Sequence, residues 1–298
     1  MWRKKSPKRR LSEEYFKIQS IVVLTILFAA LLHASWNFVL RGSRDKFLSM
    51  SAIALGHMPL GVLGLIFFGF PSSQSLIYVL ASSFLHFFYQ LVLLNAYKHG
   101  ELSQVYPVAR GISPLIIVLV ITFFMNENLS GLELMGIACI SIALIFYGIK
   151  IGLGSRLELK GFAFAICAGL FIASYSLVDG YGVKVAQNAI GFYSAITIIN
   201  GLMFVIFLLI CSRETFPNLL KKGQKIFWIG GSVSFVAYAL VVWACLYLPI
   251  PVVYTLRETS VFFAIIFATM FLNEKLTIYK TLLILTLCTG VALIKLSL

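Results

Sequence analysis

Two arginines, Arg110 and Arg257, stand inside stretches of sequence that are otherwise strongly apolar. An Arg within a membrane helix costs roughly 2.5–3.5 kcal/mol on insertion scales, so its presence calls for a compensating partner or a ligand. The planar guanidinium matches the oxygens of a carboxylate or phosphonate-like group two at a time, and a pair of them flanking a cavity would recognise such an anion. The same residues admit a second reading. Each Arg could instead pair with a carboxylate or with helix-end carbonyls and lock a gate, and Glu101, Asp179 and Glu258 are the available acids. Glu258 adjoins Arg257 and points about 100° away around a helix, so the two need not pair. Glu258 is the acid best placed to carry a coupling proton, with Asp179 second; the alternative role for each is a salt-bridge partner.

Further polar side chains recur at helical spacing. His33, Trp36, Asn37 and Arg41 form one stripe, and His86, Tyr89, Gln90 and Tyr97 a second. Tyr106, Arg110 and Ser113 form a third, Tyr254, Arg257 and Glu258 a fourth, and Tyr193, Thr197 and Asn200 a fifth. One such stripe is commonly interhelical hydrogen bonding. Several together are what a hydrated central cavity requires, because polar groups do not face lipid cheaply. His33, Trp36, Asn37, Tyr89, Tyr106 and Tyr254 are therefore expected to shape a binding site around Arg110 and Arg257. Glu127 and Glu274 are expected to cap loops, and His57 and His99 to have no special role.

Enzyme signatures are missing. The sequence has no H-E-x-x-H, no G-x-S-x-G and no P-loop. Asp occurs only at positions 45 and 179, which rules out a paired-aspartate metal site. The five cysteines share no C-x-x-C spacing and fall in or at the ends of apolar runs, as small buried hydrophobes do. No catalytic residue, metal or cofactor is expected.

The elements that must hold these residues follow from composition. Of 298 residues, 60% are hydrophobic and only 12% charged, and the mean hydropathy is +0.96. Soluble domains carry about 25% charged residues, so a soluble enzyme and a disordered chain are both excluded. Ten apolar runs can be drawn, over 18–40, 48–70, 75–97, 103–125, 132–149, 159–180, 189–211, 225–248, 251–272 and 277–296. Each is long enough for a membrane helix, and none shows the alternation of a transmembrane β-strand. The fold class is thus all-α and polytopic. The first run is too long for a signal peptide and lacks a cleavage site. Ser130 and Glu133 form a capping box at the start of the fifth run, and Pro107 and Pro251 fall near the starts of their helices.

Arg110 and Arg257 are 147 residues apart, and the same shift pairs Ser113 with Ser260, Phe124 with Phe271, Asn126 with Asn273, Glu127 with Glu274 and Leu129 with Leu276. Matched Arg, Asn and Glu are informative in so apolar a chain. The shift is nearly half the length, so a five-helix unit is used twice, over 18–150 and 151–298, after a basic segment 1–17. Five is odd, so the second copy is inverted in the membrane. Inverted repeats serve alternating access with a site near the midplane. Each Arg lies about 10 Å along its helix, and therefore some 5 Å from the midplane.

The formal net charge is +13, and 7 of the 24 Lys and Arg residues fall in the first 17 positions. That is membrane-flanking charge meeting anionic headgroups, so the lipid bilayer is the expected partner of the cations and nucleic acid is not. The basic N-terminus places both termini in the cytoplasm, although most remaining cations, from Arg41 to Lys280, then lie in external loops.

The chain resembles the ten-helix EamA-type branch of the drug/metabolite transporter superfamily. The resemblance rests on His33-Ala-Ser-Trp-Asn37, on the stretch from Ala96 to Pro107, on Pro107-Val-Ala-Arg110 and Leu256-Arg-Glu-Thr-Ser260, and on the Asn126-Glu127 and Asn273-Glu274 pairs, which depart from the commoner Gly-Glu. It covers nearly everything after residue 18 and implies cytoplasmic termini and a central cavity open to one side at a time. The expectation is a secondary-active transporter of a small organic solute, an anionic metabolite, in a bacterial inner membrane, as a monomer or homodimer. Its rivals are an exporter of neutral or cationic compounds, a membrane-embedded enzyme using His86 with Asp179 or Glu258, and a non-transporting assembly protein.

Overall fold

A computed structural model describes residues 7–41, 45–99, 102–125, 128–153, 159–271 and 273–298, with the side chains of 7–15, 39–41, 97, 102–104, 152–153 and 220 outside that description. The side chains of Arg41 and Tyr97, and residues Glu101, Asn126 and Glu127, therefore lie outside the described residues.

The chain is all-α, with no strand among the described residues. Its helices are α1 (Pro7–Arg41), α2 (Lys46–Phe68), α3 (Leu76–His99), α4 (Leu102–Phe124), α5 (Gly131–Leu153), α6 (Leu159–Ala186), α7 (Ala189–Cys211), α8 (Thr215–Lys222), α9 (Gly231–Ala244), α10 (Ile250–Arg257), α11 (Ser260–Phe271) and α12 (Ile278–Ser297). They supply ten apolar spans of 19–28 residues, α10 and α11 together making the ninth. At 1.5 Å per residue each crosses a hydrocarbon core of about 30 Å. The outward side chains suit acyl chains, since Phe67, Phe124 and Ile210 are among the most exposed residues. The protein is an integral, multi-pass membrane protein.

Local chemistry sets the ends of the spans. Asp45 caps α2 by accepting the Leu48 N–H at 2.9 Å. Gly69 closes that helix at φ 78°, a conformation glycine adopts without strain. The capping box is formed in full: the Ser130 N–H donates to Glu133 Oε2 at 2.7 Å and the Glu133 N–H to Ser130 Oγ at 3.2 Å. Asn188 caps α7 through the Gly191 N–H at 2.9 Å and donates to Phe68 O at 2.8 Å, which ties two turns on one face of the bundle. Pro251 sits in the first turn of α10, whereas Pro107 lies further inside α4. The polar stretch 212–224 contains the short helix α8, and a single π-helical stretch over Ile226–Gly230 leads into α9.

The helix pairings repeat between the two halves. α3 packs on α6 as α9 packs on α1, and α4 on α6 as α10 and α11 pack on α1. α3 meets α7 as α9 meets α2, while α2–α7 and α5–α12 join equivalent spans. This pattern is consistent with two five-span halves around a pseudo-two-fold axis. The two ends of the chain meet on one face, where Lys295 Nζ donates to Ser20 Oγ at 2.8 Å.

α2 and α9 cross at glycines. A Cβ on Gly231 would stand 2.8 Å from both C and Cα of Gly56, backbone atoms that cannot turn aside. Gly231→Ala therefore sets two effects against each other. Helix propensity gains about 1 kcal/mol, and overpacking costs about 1–3 kcal/mol. The variant is expected to unfold at lower temperature in detergent; a rise in melting temperature would show that the crossing relaxes freely.

Candidate functional site

The ninth span carries the main irregularity. α10 tightens at its end into i→i−3 bonds, Glu258 N to Thr255 O at 3.0 Å and Thr259 N to Leu256 O at 3.1 Å. Thr259 Oγ1 also donates to Leu256 O at 2.7 Å, and α11 restarts at Ser260. A tight turn inside a span is a natural hinge. Neither Gly nor Pro announces it.

This turn faces a cavity of about 160 Å³ between the halves. α1 contributes His33, Trp36 and Asn37; α2 contributes Lys46, Ser49 and His57; α3 contributes His86, Tyr89 and Gln90. Tyr106 and Arg110 come from α4, Tyr175 from α6, Tyr193 from α7, Tyr238 from α9 and Arg257 from α10. Several of these lie near the α1–α2 turn. On the opposite side the volume is filled by Cys245, Leu248, Ile250, Val252 and Val253, all buried. The cavity therefore approaches the face away from the chain ends and is sealed toward them.

Arg110 is engaged through both of its terminal nitrogens. Its Nη1 donates to Glu258 Oε1 at 2.8 Å and Oε2 at 2.9 Å. Its Nη2 donates to Tyr106 Oη at 2.5 Å and contacts His33 Nε2, which itself bonds Tyr106 Oη at 2.7 Å. The ion pair joins residues 148 apart and links the first half to the second. Both partners are buried, at 3% and 0% side-chain exposure. Arg257 is engaged differently. Its Nη2 reaches Glu258 Oε1 at 3.3 Å, and its Nε is buried without a partner. Its guanidinium carbon lies 4.9 Å from the Tyr254 ring centre and 5.6 Å from that of Tyr238, within cation–π range. One carboxylate thus serves two guanidiniums. The repeat shift of 147 residues puts Gly111 where Glu258 stands, and a Cβ on Gly111 would lie 2.7 Å from Ser141 O, so close helix packing takes the place of an acid there.

A second buried cluster sits deeper. Asp179 Oδ2 is 3.0 Å from His86 Nε2 and accepts the Tyr238 hydroxyl at 2.6 Å. Tyr238 Oη is 3.1 Å from Tyr254 Oη. Asp179 Oδ1 is buried without a partner. With neutral imidazoles, the two arginines and two acids cancel formally.

Most residues expected at the site line the cavity: Arg110, Arg257, His33, Trp36, Asn37, Tyr89 and Tyr106. Tyr254 stands one layer back, fully buried behind Tyr238 and Arg257. Glu258 and Asp179 are likewise buried beneath the wall. Glu258 and Arg257, expected to diverge, share a hydrogen bond because the helix tightens between them and the next turn. Thr197 and Asn200 bond to backbone carbonyls of Ser194 and Ser83 and serve packing. Glu274 holds Lys280 at 2.8 Å at the start of α12. His57, expected to be unremarkable, lines the cavity with Nε2 unpartnered. Tyr175 and Tyr238 were not expected there. A polar aromatic i−4 from Asp179 was the available signal for Tyr175, and nothing distinguished Tyr238.

Ten membrane-length spans thus surround a polar cavity lined by both halves of the chain. The sequence profile of the EamA-like transporter family matches residues 159–296, and that match together with the ten spans fits a ten-helix EamA-type transporter. The match suggests membrane transport of small solutes. The chain is also similar to a solved crystal structure at 15% identity and a TM-score of 0.70, covering 93% of this chain and 98% of that one, a likeness of fold alone. No curated protein matches.

Proposed function

We propose that this chain is a secondary-active transporter of a small anionic organic solute, bearing a carboxylate or a phosphonate-like group. Two inverted halves, 18–150 and 151–298, would rock about the cavity, with the turn at Glu258–Thr259 as a hinge. One observation carries the anionic reading. Both terminal nitrogens of Arg110 are held by Glu258, Tyr106 and His33, whereas Arg257 lines the cavity with a long 3.3 Å contact and an unpartnered Nε. A guanidinium with donors to spare in a low-dielectric cavity selects an oxyanion. Both termini would be cytoplasmic in a bacterial inner membrane.

A second reading is favoured by the cancelling charges and by the aromatic wall of Trp36, Tyr89, Tyr175 and Tyr238. Those rings would suit a neutral or cationic compound. The test is reconstitution into liposomes offered a mixture of carboxylates, phosphonates and organic cations, with mass spectrometry of the lumen. The expected result is one anion class accumulating chemically unchanged. Accumulation of cations alone would favour the second reading, and chemical conversion without movement would identify an enzyme.

A further inference from the structure

We propose that His86 and Asp179 together form a single proton-binding site on the sealed side of the cavity, and that Glu258 does not carry the proton. Geometry separates the two acids. Both oxygens of Glu258 are held by Arg110 at 2.8 and 2.9 Å, and Oε1 also meets Arg257 at 3.3 Å. Protonating it would leave two buried guanidiniums without a counter-charge, which is the expensive way to take up a proton. Asp179 faces no cation so closely. Its Oδ2 meets an imidazole and a phenol, and its Oδ1 is bare.

The pair also has a route to the cavity. The His86 side chain is 15% exposed and lines the cavity wall, while Asp179 is fully buried behind it. His86 is clamped, stacked on Tyr175 with ring centres 4.0 Å apart and edge-on to Tyr238 at 5.4 Å. A proton from the cavity adds to the pair, which passes from neutral imidazole with carboxylate to one proton more, shared between Nε2 and Oδ2. No other bond changes. The neighbouring groups do not compete. Around the pair stand the hydroxyls of Tyr175, Tyr193, Tyr238 and Tyr254 and the Arg257 guanidinium, group types whose ordinary pKa values lie far above the imidazole range. Cys245 lies nearby as well, close enough to feel both Asp179 and Lys184. His57, from α2, is the remaining imidazole nearby and has no carboxylate partner.

Taking up this proton changes the formal charge of the central cluster from zero to +1. An anion would then enter with a proton rather than against one. That consequence rests on the anionic reading above; the proton site does not.

The test needs no solute, so its failure is separable from failure of the anionic reading. Infrared difference spectra of the full chain in lipid nanodiscs are recorded between about pH 5 and about pH 8, the imidazole range. The imidazole band missing in His86→Gln identifies His86. In Asp179→Asn, a near-isosteric change, the midpoint of that band is expected to move by at least about one pH unit. Arg257→Gln and Tyr89→Phe serve as variants at the same cavity without touching the pair. A midpoint unmoved in Asp179→Asn, or moved more by Glu258→Gln than by Asp179→Asn, overturns the proposal.

Discussion

Glu258→Gln is expected to lose about 3–5 kcal/mol of stability, the cost of stranding buried charge by removing one partner. The carboxylate is fully buried and is the only acid within 4 Å of either Arg110 or Arg257 among the described ion pairs. Its removal leaves two buried guanidiniums without that carboxylate. Arg110→Gln should cost less, because Glu258 keeps Arg257 at 3.3 Å. The double variant should be more stable than Glu258→Gln alone, since one of the stranded cations is gone. Thermal unfolding of the three proteins in the same detergent gives the ranking. If Glu258→Gln is the mildest of the three, the acid is not the counter-charge for both arginines.

Arg257→Gln is expected to behave in the opposite way, sparing the fold and removing the ligand. It gives up one long contact and two cation–π faces, which together support the fold far less than the Arg110 pair. Its effect on an anion should be large. Truncating one side of a buried charge pair costs about 2–5 kcal/mol, so affinity should fall by roughly 30-fold or more. Arg257→Lys should recover only part of it, because an ammonium offers a point charge where the guanidinium offers a planar fork. Binding of a carboxylate titrated against the three proteins checks the order. Equal affinities would make Arg257 a lock within the fold.

The spans were legible because a membrane leaves so few solutions: runs of apolar residues this long have to be helices that satisfy their own backbone. The two arginines were legible for the same reason, being costly where they stand. What was not legible is pairing at long range. Nothing local to Arg110 or Glu258 says that they meet across 148 residues, because that contact is set by how the two halves pack. The turn at Glu258–Thr259 was hidden too. It is built from i→i−3 bonds and a Thr hydroxyl, with no Gly or Pro to mark it. Tyr238 looked like any aromatic packing residue in an apolar helix, and its role shows only once α9 sets its hydroxyl against Asp179. His57, a lone histidine on an apolar run, lines the cavity, a placement that nothing local to it shows.

The most direct measurement is ligand-induced thermal stabilisation of the detergent-purified protein, run in parallel on the unmodified chain and on Arg257→Gln. The panel holds amino acids, carboxylates, phosphonates, sugar phosphates, and cationic and neutral drugs. The expected result is that one class of anion raises the melting temperature of the unmodified chain and leaves Arg257→Gln unchanged. If cationic or neutral compounds alone stabilise, and both proteins respond alike, Arg257 does not bind the solute and the transporter serves a different chemistry.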